Sequence, residues 1–398
     1  MKANIKTIIE KIVSGDWGKE DVDNIGVKII RTTNFTNAGN IDYDNIVTRI
    51  ISEKNIQEKR LKKGDIIIEK SGGSPNQPVG RVVYFSDDDT EPILCNNFTS
   101  VIRCKNDVNS RYVFYYLYLN WCRGGTRKYQ NKTTGILNLK LEKYLDDLNI
   151  ELPSKEEQDN IVSILDKADE IRTKKRLAND KLDEFLKSTF ISMFGDPVKN
   201  DKSLPIAKVG GLTTLVSSGS TPLGGSSVYQ DEGVLFIRSQ NVLMNKFDFT
   251  DIAHISDEIY NSMARTQVQM NDVLLNITGA SIGRIHRYMF KDKANVNQHV
   301  CIIRPVLDMV SPVYLEYCIG NSNYQHNILR QNSGATRQAF NFEQIKGFKI
   351  PLPPIEEQNK FAQIVEKVEA QKQKNKEVIR QMDNLFNSLS QKAFKGEL

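Results

Sequence analysis

The string IELPSKEEQDNIVSILDKADEI at residues 150–171 returns as IPLPPIEEQNKFAQIVEKVEAQ at residues 350–371, and this repeat limits what the chain can fold into more than any single motif does. Pro153, Glu157 and Gln158 match Pro353, Glu357 and Gln358. The register holds onward through Leu182, Asp183 and Ser188 against Met382, Asp383 and Ser388, always 200 residues apart. Weaker echoes precede it. Ile29-Ile30-Arg31-Thr32-Thr33-Asn34 pairs with Phe236-Ile237-Arg238-Ser239-Gln240-Asn241, and Gly64-Asp65-Ile66-Ile67-Ile68 with Asn271-Asp272-Val273-Leu274-Leu275, both at an offset of 207. Ser71-Gly72-Gly73 through Gly80-Arg81 matches Thr278-Gly279-Ala280 through Gly283-Arg284, where the offset falls to 203 because the first copy carries four extra residues. A chain written twice in this way builds two related units, each with a divergent body and a nearly constant tail.

Each tail opens with proline and carboxylates, Pro153 to Glu157 and Pro353 to Glu357, which are start signals for a helix. Apolar residues then recur at helical spacing: Ile161, Ile164, Leu165 and Ala168 in one tail, Phe361, Ile364, Val365 and Val368 in the other. A second set follows, Leu182, Phe185, Leu186, Phe190 and Met193 against Met382, Leu385, Phe386, Leu389 and Ala393. Such seams need a covering helix. Two repeated helices in one chain pack most economically on each other, antiparallel as a two-fold relation requires, and forty residues of helix extend about 60 Å. Gly195-Asp196-Pro197 and Gly396 supply the stops. The bodies mix short β-branched runs with Gly, Asn and Ser turns. Strands are predicted over 66–69, 81–85, 273–275 and 301–304, and helix starts at Ser110 and Ser311-Pro312. The reading is an α+β protein with bodies at 1–153 and 198–350 and helical spacers at 154–197 and 351–398.

Composition adds bounds. Fifty-four Lys and Arg against 49 Asp and Glu leave a net charge of +5, carried by the two bodies, while the tails are near neutral. That fits bodies that touch phosphate and tails that touch protein. The longest apolar run, 112–119, falls far short of the roughly 20 residues that span a bilayer, so a cytoplasmic protein is expected. Five cysteines, never spaced CxxC, signal neither a disulfide framework nor zinc and read as reduced thiols.

The two LPxxEEQ tails, the closing AFKGEL, the MFGDP junction and the SGSTP and TGASIGR strings of the second copy resemble the specificity subunits of Type I restriction-modification systems, over essentially the whole chain. The resemblance implies two target-recognition domains alternating with two helical regions. Each domain would read one half of a split site in double-stranded DNA. The helices would hold two modification (methyltransferase) subunits, with restriction subunits beyond them, through residues such as Ile161, Leu165, Leu182, Phe185, Phe361, Val365, Leu385 and Phe386. It implies a non-catalytic chain without cofactor or metal of its own, S-adenosylmethionine, ATP and Mg being expected in the partner subunits. Isolated chains could self-associate through the helix seams.

The residues agree on catalysis. There is no Gly-x-x-x-x-Gly-Lys-Ser/Thr phosphate loop and no Gly-rich methyl-donor site followed by an Asn-Pro-Pro-aromatic loop. Glu69-Lys70 could suggest a metal nuclease, but the second copy has Asn276-Ile277 there, and a strand ending in a polar turn is the simpler reading. His254, His286, His299 and His326 are isolated.

Candidate DNA contacts are loops rich in side chains that can hold bases and phosphates. Arg127, Lys128, Asn131, Lys132 and Thr133 in the first copy correspond in position to Arg330, Asn332, Ser333, Thr336, Arg337 and Gln338 in the second. A second set is Arg31, Thr33 and Asn34 with Arg238, Ser239, Gln240 and Asn241. A third is Ser71, Ser74, Asn76, Gln77 and Arg81 with Thr278, Ser281, Arg284 and Arg287, where ordinary turn chemistry is an equal reading. The expected function is reading an asymmetric two-part DNA target. The rival is a coiled-coil interaction scaffold with no sequence readout, separable by the salt dependence of DNA binding.

Overall fold

The structure, a computed structural model, describes residues 2–74, 77–88, 91–133, 136–331 and 339–394. They form two compact units. One comprises Met1–Lys175 together with Glu377–Leu398, the other Arg176–Lys376. Two unbroken helices, Lys155–Phe194 and Ile355–Ala393, each give one part to each unit.

In the first unit a four-stranded antiparallel sheet runs Ile9–Ser14, Thr99–Cys104, Ile66–Glu69, Val82–Tyr84. Ile66, Ile67 and Ile68 are all buried because both faces of their strand are covered, so the run is continuous rather than alternating. A second sheet, ordered Lys19–Glu20, Val47–Ile50, Val27–Ile30, Ile93–Cys95, closes in a parallel pair. The second unit repeats the first sheet strand for strand, as Thr213–Ser218, Val300–Pro305, Val273–Asn276, Ile285–Arg287. It also repeats the parallel pair, Val234–Ile237 beside Ala294–Val296. The predicted strands are there, a residue longer or shorter at their ends.

The repeated Gly64-Asp65 and Asn271-Asp272 steps explain themselves. Gly64 and Asn271 take left-handed φ of 92° and 75°, and each following aspartate is buried, accepting from Arg103 in the first unit and Arg304 in the second. Each aspartate also caps its own turn, through the amides of Lys62 and Gln269.

The domain helices Ser110–Cys122 and Pro312–Ile319 start at Asn109 and Ser311. The first cap is thus one residue ahead of the predicted Ser110, since the Asn109 carboxamide accepts from the amides of Arg111 and Tyr112. Tyr112 to Trp121 are buried almost all round, as a helix enclosed by its own unit requires. Here the repeated tail glutamine finds its purpose. Gln158 Oε1 accepts from Asn109 N at 2.9 Å while its Nε2 donates to Pro153 O at 2.9 Å; Gln358 makes the same pair with Ser311 N and Pro353 O at 2.8 Å each. Both glutamines are buried and bolt the first turn of a long helix to the start of a domain helix.

Each unit's core takes in both long helices. In the first, Ile161, Leu165 and Ala168 pack with Phe386 and Ala393; Phe386 lies edge-on to Tyr115, and Phe394 meets Tyr112 and Tyr116. In the second, Leu186, Phe190 and Phe194 pack with Phe361, Val365 and Val368. Asn375 donates to Asn179, Lys372 pairs with Asp183 and Phe190 meets Phe361, so within this unit the two helices run antiparallel.

This corrects the expectation for the seam residues. Ile161, Leu165, Phe361, Val365 and Phe386 are buried in the cores of their own units and Leu182 is partly covered; they cannot also bind a partner subunit. Phe185 and Leu385 are exposed, as are Ile164 and Ile171.

All five cysteines are free. Burial pushes the thiol of Cys95 up to about 11 and those of Cys104, Cys301 and Cys318 to about 12, leaving Cys122 as the exposed one. No helix among the described residues is long and apolar enough to cross a membrane, and no group of three or more His, Cys, Asp or Glu among them could hold a metal ion.

Candidate nucleic-acid interface

At one edge of the first unit's main sheet, the chain leaves Ile66–Glu69 through Ser71, Gly72 and Gly73 and meets the loop after Val27–Ile30. A cleft of about 450 Å³ opens there, lined by Thr32, Thr33, Glu69, Gly72, Gly73, Ser74, Gln77, Arg81, Phe98 and Ile136. Gly72 (φ 133°) has no room for a side chain, since a Cβ would stand 2.9 Å from Glu69 Oε1. A neighbouring concavity of about 660 Å³ adds Asn37, Trp121, Arg123 and Arg127. The second and third candidate sets of the first unit therefore meet around one cleft, with Arg127 beside it.

Several candidates prove to be framework. Asn34 is 2% exposed, accepting from Arg31 N at 2.9 Å and donating to Asp42 O at 3.0 Å. Asn241, equally buried, accepts from Arg238 N at 2.9 Å and donates to Asp248 O at 2.9 Å. Both carboxamides are used up within their loops and cannot read a base, which corrects the expectation for this pair. Arg81 is corrected too. Its guanidinium grips buried Glu69 through two bonds of 3.0 Å and donates to Phe35 O and Thr32 O at 3.0 and 2.9 Å. Arg287 is buried, ion-paired to Glu316 and Glu369. Arg31 and Arg238 are half-covered, donating to Asn45 O and Asp251 O.

The second unit solves the Arg81 problem differently. Asn276 stands where Glu69 does, one opposite Val300 and the other opposite Thr99, and its Nδ2 donates to Ser239 O at 2.7 Å and Val242 O at 3.1 Å. Ser239 and Val242 are the counterparts of Thr32 and Phe35, so one amide replaces the whole Glu69–Arg81 bracket. Arg284, the counterpart of Arg81, is thereby released: it is half-exposed with no side-chain hydrogen bond or ion pair among the described residues.

The remaining candidates divide by exposure. Thr33, Arg127, Lys128, Asn131, Gln240 and Arg330 are exposed, with the Lys128 ammonium 4.9 Å from the Tyr129 ring centre and Gln240 donating to Asp251. Ser71, Gln77, Ser239, Thr278 and Ser281 are half-covered; Ser71 donates to Asn138 Oδ1 at 2.6 Å. Asn76, Asn332, Ser333, Thr336, Arg337 and Gln338 lie outside the described residues, and Lys132 and Thr133 are described only as backbone of the strand Gln130–Thr133. The two basic loops are reached by different routes in the two units, and most of the second lies outside the described residues. Gly124 (φ 74°) and Gly125 end the domain helix in the first unit, which continues as a 3-10 turn and a hairpin. In the second unit Asn321 caps the amides of Asn323 and Tyr324 and starts another helix, Ser322–Gln331.

Sequence reasoning missed the turn before the central strand. Asn97 and Phe98 project there in the first unit, Gln298 and His299 in the second. Thr278 Oγ1 meets His299 Nδ1 at 2.7 Å, and Gln298 is hydrogen-bonded to Thr221.

Two copies of one α+β body, each with a polar edge built on the same frame and each closed by the same repeated helices, define a tandem of recognition-type modules. Both copies match the Type I restriction modification DNA specificity domain, over residues 7–181 and 206–381, and the chain belongs to that family. The EcoBI specificity subunit of Escherichia coli is 31% identical over 172 residues, 42% of this chain and 36% of the relative's length. A putative MjaX specificity subunit of Methanocaldococcus jannaschii is 24% identical over 374 residues, 90% of this chain and 84% of its own. The fold is shared with the S subunit from M. genitalium (TM-score 0.60, 15% identity, 99% of this chain and 96% of that one). It is shared also with a chain from a structure describing complex assembly and conformational transition of the type I R-M system (TM-score 0.54, 16% identity, 100% and 98%).

Proposed function

We propose that this chain is the sequence-reading subunit of a Type I restriction-modification enzyme, each unit reading one half of an asymmetric, two-part target in double-stranded DNA. The observation that carries this reading is the pair of equivalent edges with one frame and two linings. Thr33, Ser74, Arg81 and Phe98 line the cleft in the first unit; Gln240, Ser281, Arg284 and His299 occupy the matching positions in the second. A shared frame with exchanged side chains is what two different half-sites require, since base edges are told apart by donor, acceptor and methyl pattern. Arg127, Lys128 and Arg284 serve phosphates or guanine.

In this reading the chain performs no catalysis and works in the cytoplasm. S-adenosylmethionine, ATP and Mg act in the modification and restriction subunits. Two modification subunits dock on the exposed helix faces marked by Ile164, Ile171, Phe185 and Leu385, the same faces through which isolated chains would self-associate.

The test is to map methylated bases on a random-sequence DNA library with the modification subunits, with and without this chain. A split, asymmetric motif that depends on the chain is expected. Association with the modification subunits without any sequence preference would leave an interaction scaffold instead.

A further inference from the structure

Phe98 and Ile136 are each 45% exposed, and both line the same cleft among hydroxyl and amide groups. Phe98 does not sit on a loose tip. Its carbonyl accepts from Lys70 N at 2.7 Å and Ser71 N at 3.1 Å, and the turn is locked by Thr99 Oγ1 donating to Asn96 O at 2.7 Å. A rigid turn therefore holds an aromatic ring in water at the mouth of a polar cleft. Among the described lining residues the one carboxylate, Glu69, is neutralised by Arg81, which removes its opposition to a nucleic acid. In the second unit the same turn, its His299 carbonyl accepting from Ile277 N at 2.9 Å, carries an imidazole whose nitrogens meet Thr278 Oγ1 at 2.7 Å and Gln298 Nε2 at 3.1 Å.

Resting on the DNA-reading function above, we propose that Phe98 and Ile136 form an apolar contact to the 5-methyl group of a thymine in the half-site read by the first unit. His299, its ring held by Thr278 and Gln298, gives the second unit's turn no such apolar contact. Among groups exposed in the major groove, the thymine methyl is the apolar one, and phenyl and aliphatic side chains are its natural partners. Thr33, Ser74 and Gln77 around the ring would bond the neighbouring polar edges.

The experiment uses the full chain assembled with its modification subunits and duplexes carrying the mapped target, each thymine replaced singly by deoxyuridine, which lacks only the methyl. One thymine is expected to lose about fourfold in binding on replacement, the worth of burying one carbon of that size. That penalty should vanish in Phe98→Ala, return in part in Phe98→Leu, and persist in His299→Ala. A penalty that survives Phe98→Ala, or no thymine that responds, would overturn the contact while the split motif itself left the DNA-reading function standing. Absence of any motif would sink the broader function.

Discussion

The two units fill one position with opposite chemistry. Tyr84 lies opposite Ile66 in the first unit and Arg287 opposite Val273 in the second. Phe114 and Glu316 each stand five residues beyond the cap of their domain helix. Where the first unit has a ring pair, Tyr84 and Phe114 with centroids 5.6 Å apart and the Arg111 guanidinium over both, the second has a buried ion network. Arg287 pairs there with Glu316 and with Glu369 at 2.7 Å, and His286 Nδ1 meets Glu316 at 2.6 Å. Both solutions fasten the sheet to the domain helix and reach on to a long helix, through Arg111 and Asp166 at 3.0 Å in the first unit and through Arg287 and Glu369 in the second. The frame thus specifies shape and register while leaving open whether apolar area or paired charge fills the space.

The largest effect should come from breaking the ionic solution on one side. Arg287→Leu strands Glu316 without its guanidinium and is expected to cost about 3–5 kcal/mol in denaturant unfolding of the second unit. The paired change Arg287→Tyr with Glu316→Phe copies the first unit and should recover most of that loss; no recovery would mean the two positions are not equivalent. The network also has a pH signature. Burial pushes the Glu316 carboxyl up, but His286 and Arg287 outweigh it and hold it below the usual carboxylate range. Its contribution is therefore complete at neutral pH and is lost as pH falls through the lowered value. Denaturation midpoints measured from pH 6 down to 3 should drop more steeply in the native chain than in Glu316→Gln.

Next in size is the loop bracket. Arg81→Ala leaves Glu69 buried and unpaired and should cost the first unit about 3 kcal/mol. Adding Glu69→Asn transplants the second unit's answer and should restore stability, as read by the same unfolding curves. Removing the shared glutamine bolts by Gln158→Ala or Gln358→Ala should cost each unit a similar ~1–2 kcal/mol, because the two bonds are alike; unequal losses would show the repeat to be less symmetric than its geometry. Smallest for the fold is Arg284→Ala, expected to leave unfolding within about 0.5 kcal/mol while weakening DNA binding and flattening its salt dependence.

The repeat, the α+β class, the long helices and the main strands were legible because each rests on period and spacing, which survive when side chains diverge. The cleft was legible only in outline. Arg and Asn are the side chains that read bases, but they also satisfy stray carbonyls, and Asn34, Asn241 and Arg81 do the second task in loops where a sequence cannot show which carbonyl lies within reach. Phe98 was passed over for the converse reason, since a phenylalanine ahead of a strand reads as core. The helix seams were visible as apolar stripes, yet which half of each helix closes which unit is a tertiary matter. So Phe386 could be taken for a partner's contact when it belongs to the core beside Tyr115.

That closure sets an order of events during synthesis. The first unit's body leaves the ribosome early, but Phe386, Ala393 and Phe394, which complete its core, are made only after every segment of the second unit. All of the second unit's segments, by contrast, are already translated by Lys376. The later-encoded unit can thus finish before the earlier one, and a nascent chain stalled or clipped ahead of Phe386 would expose the aromatic floor of the first unit to proteases and chaperones.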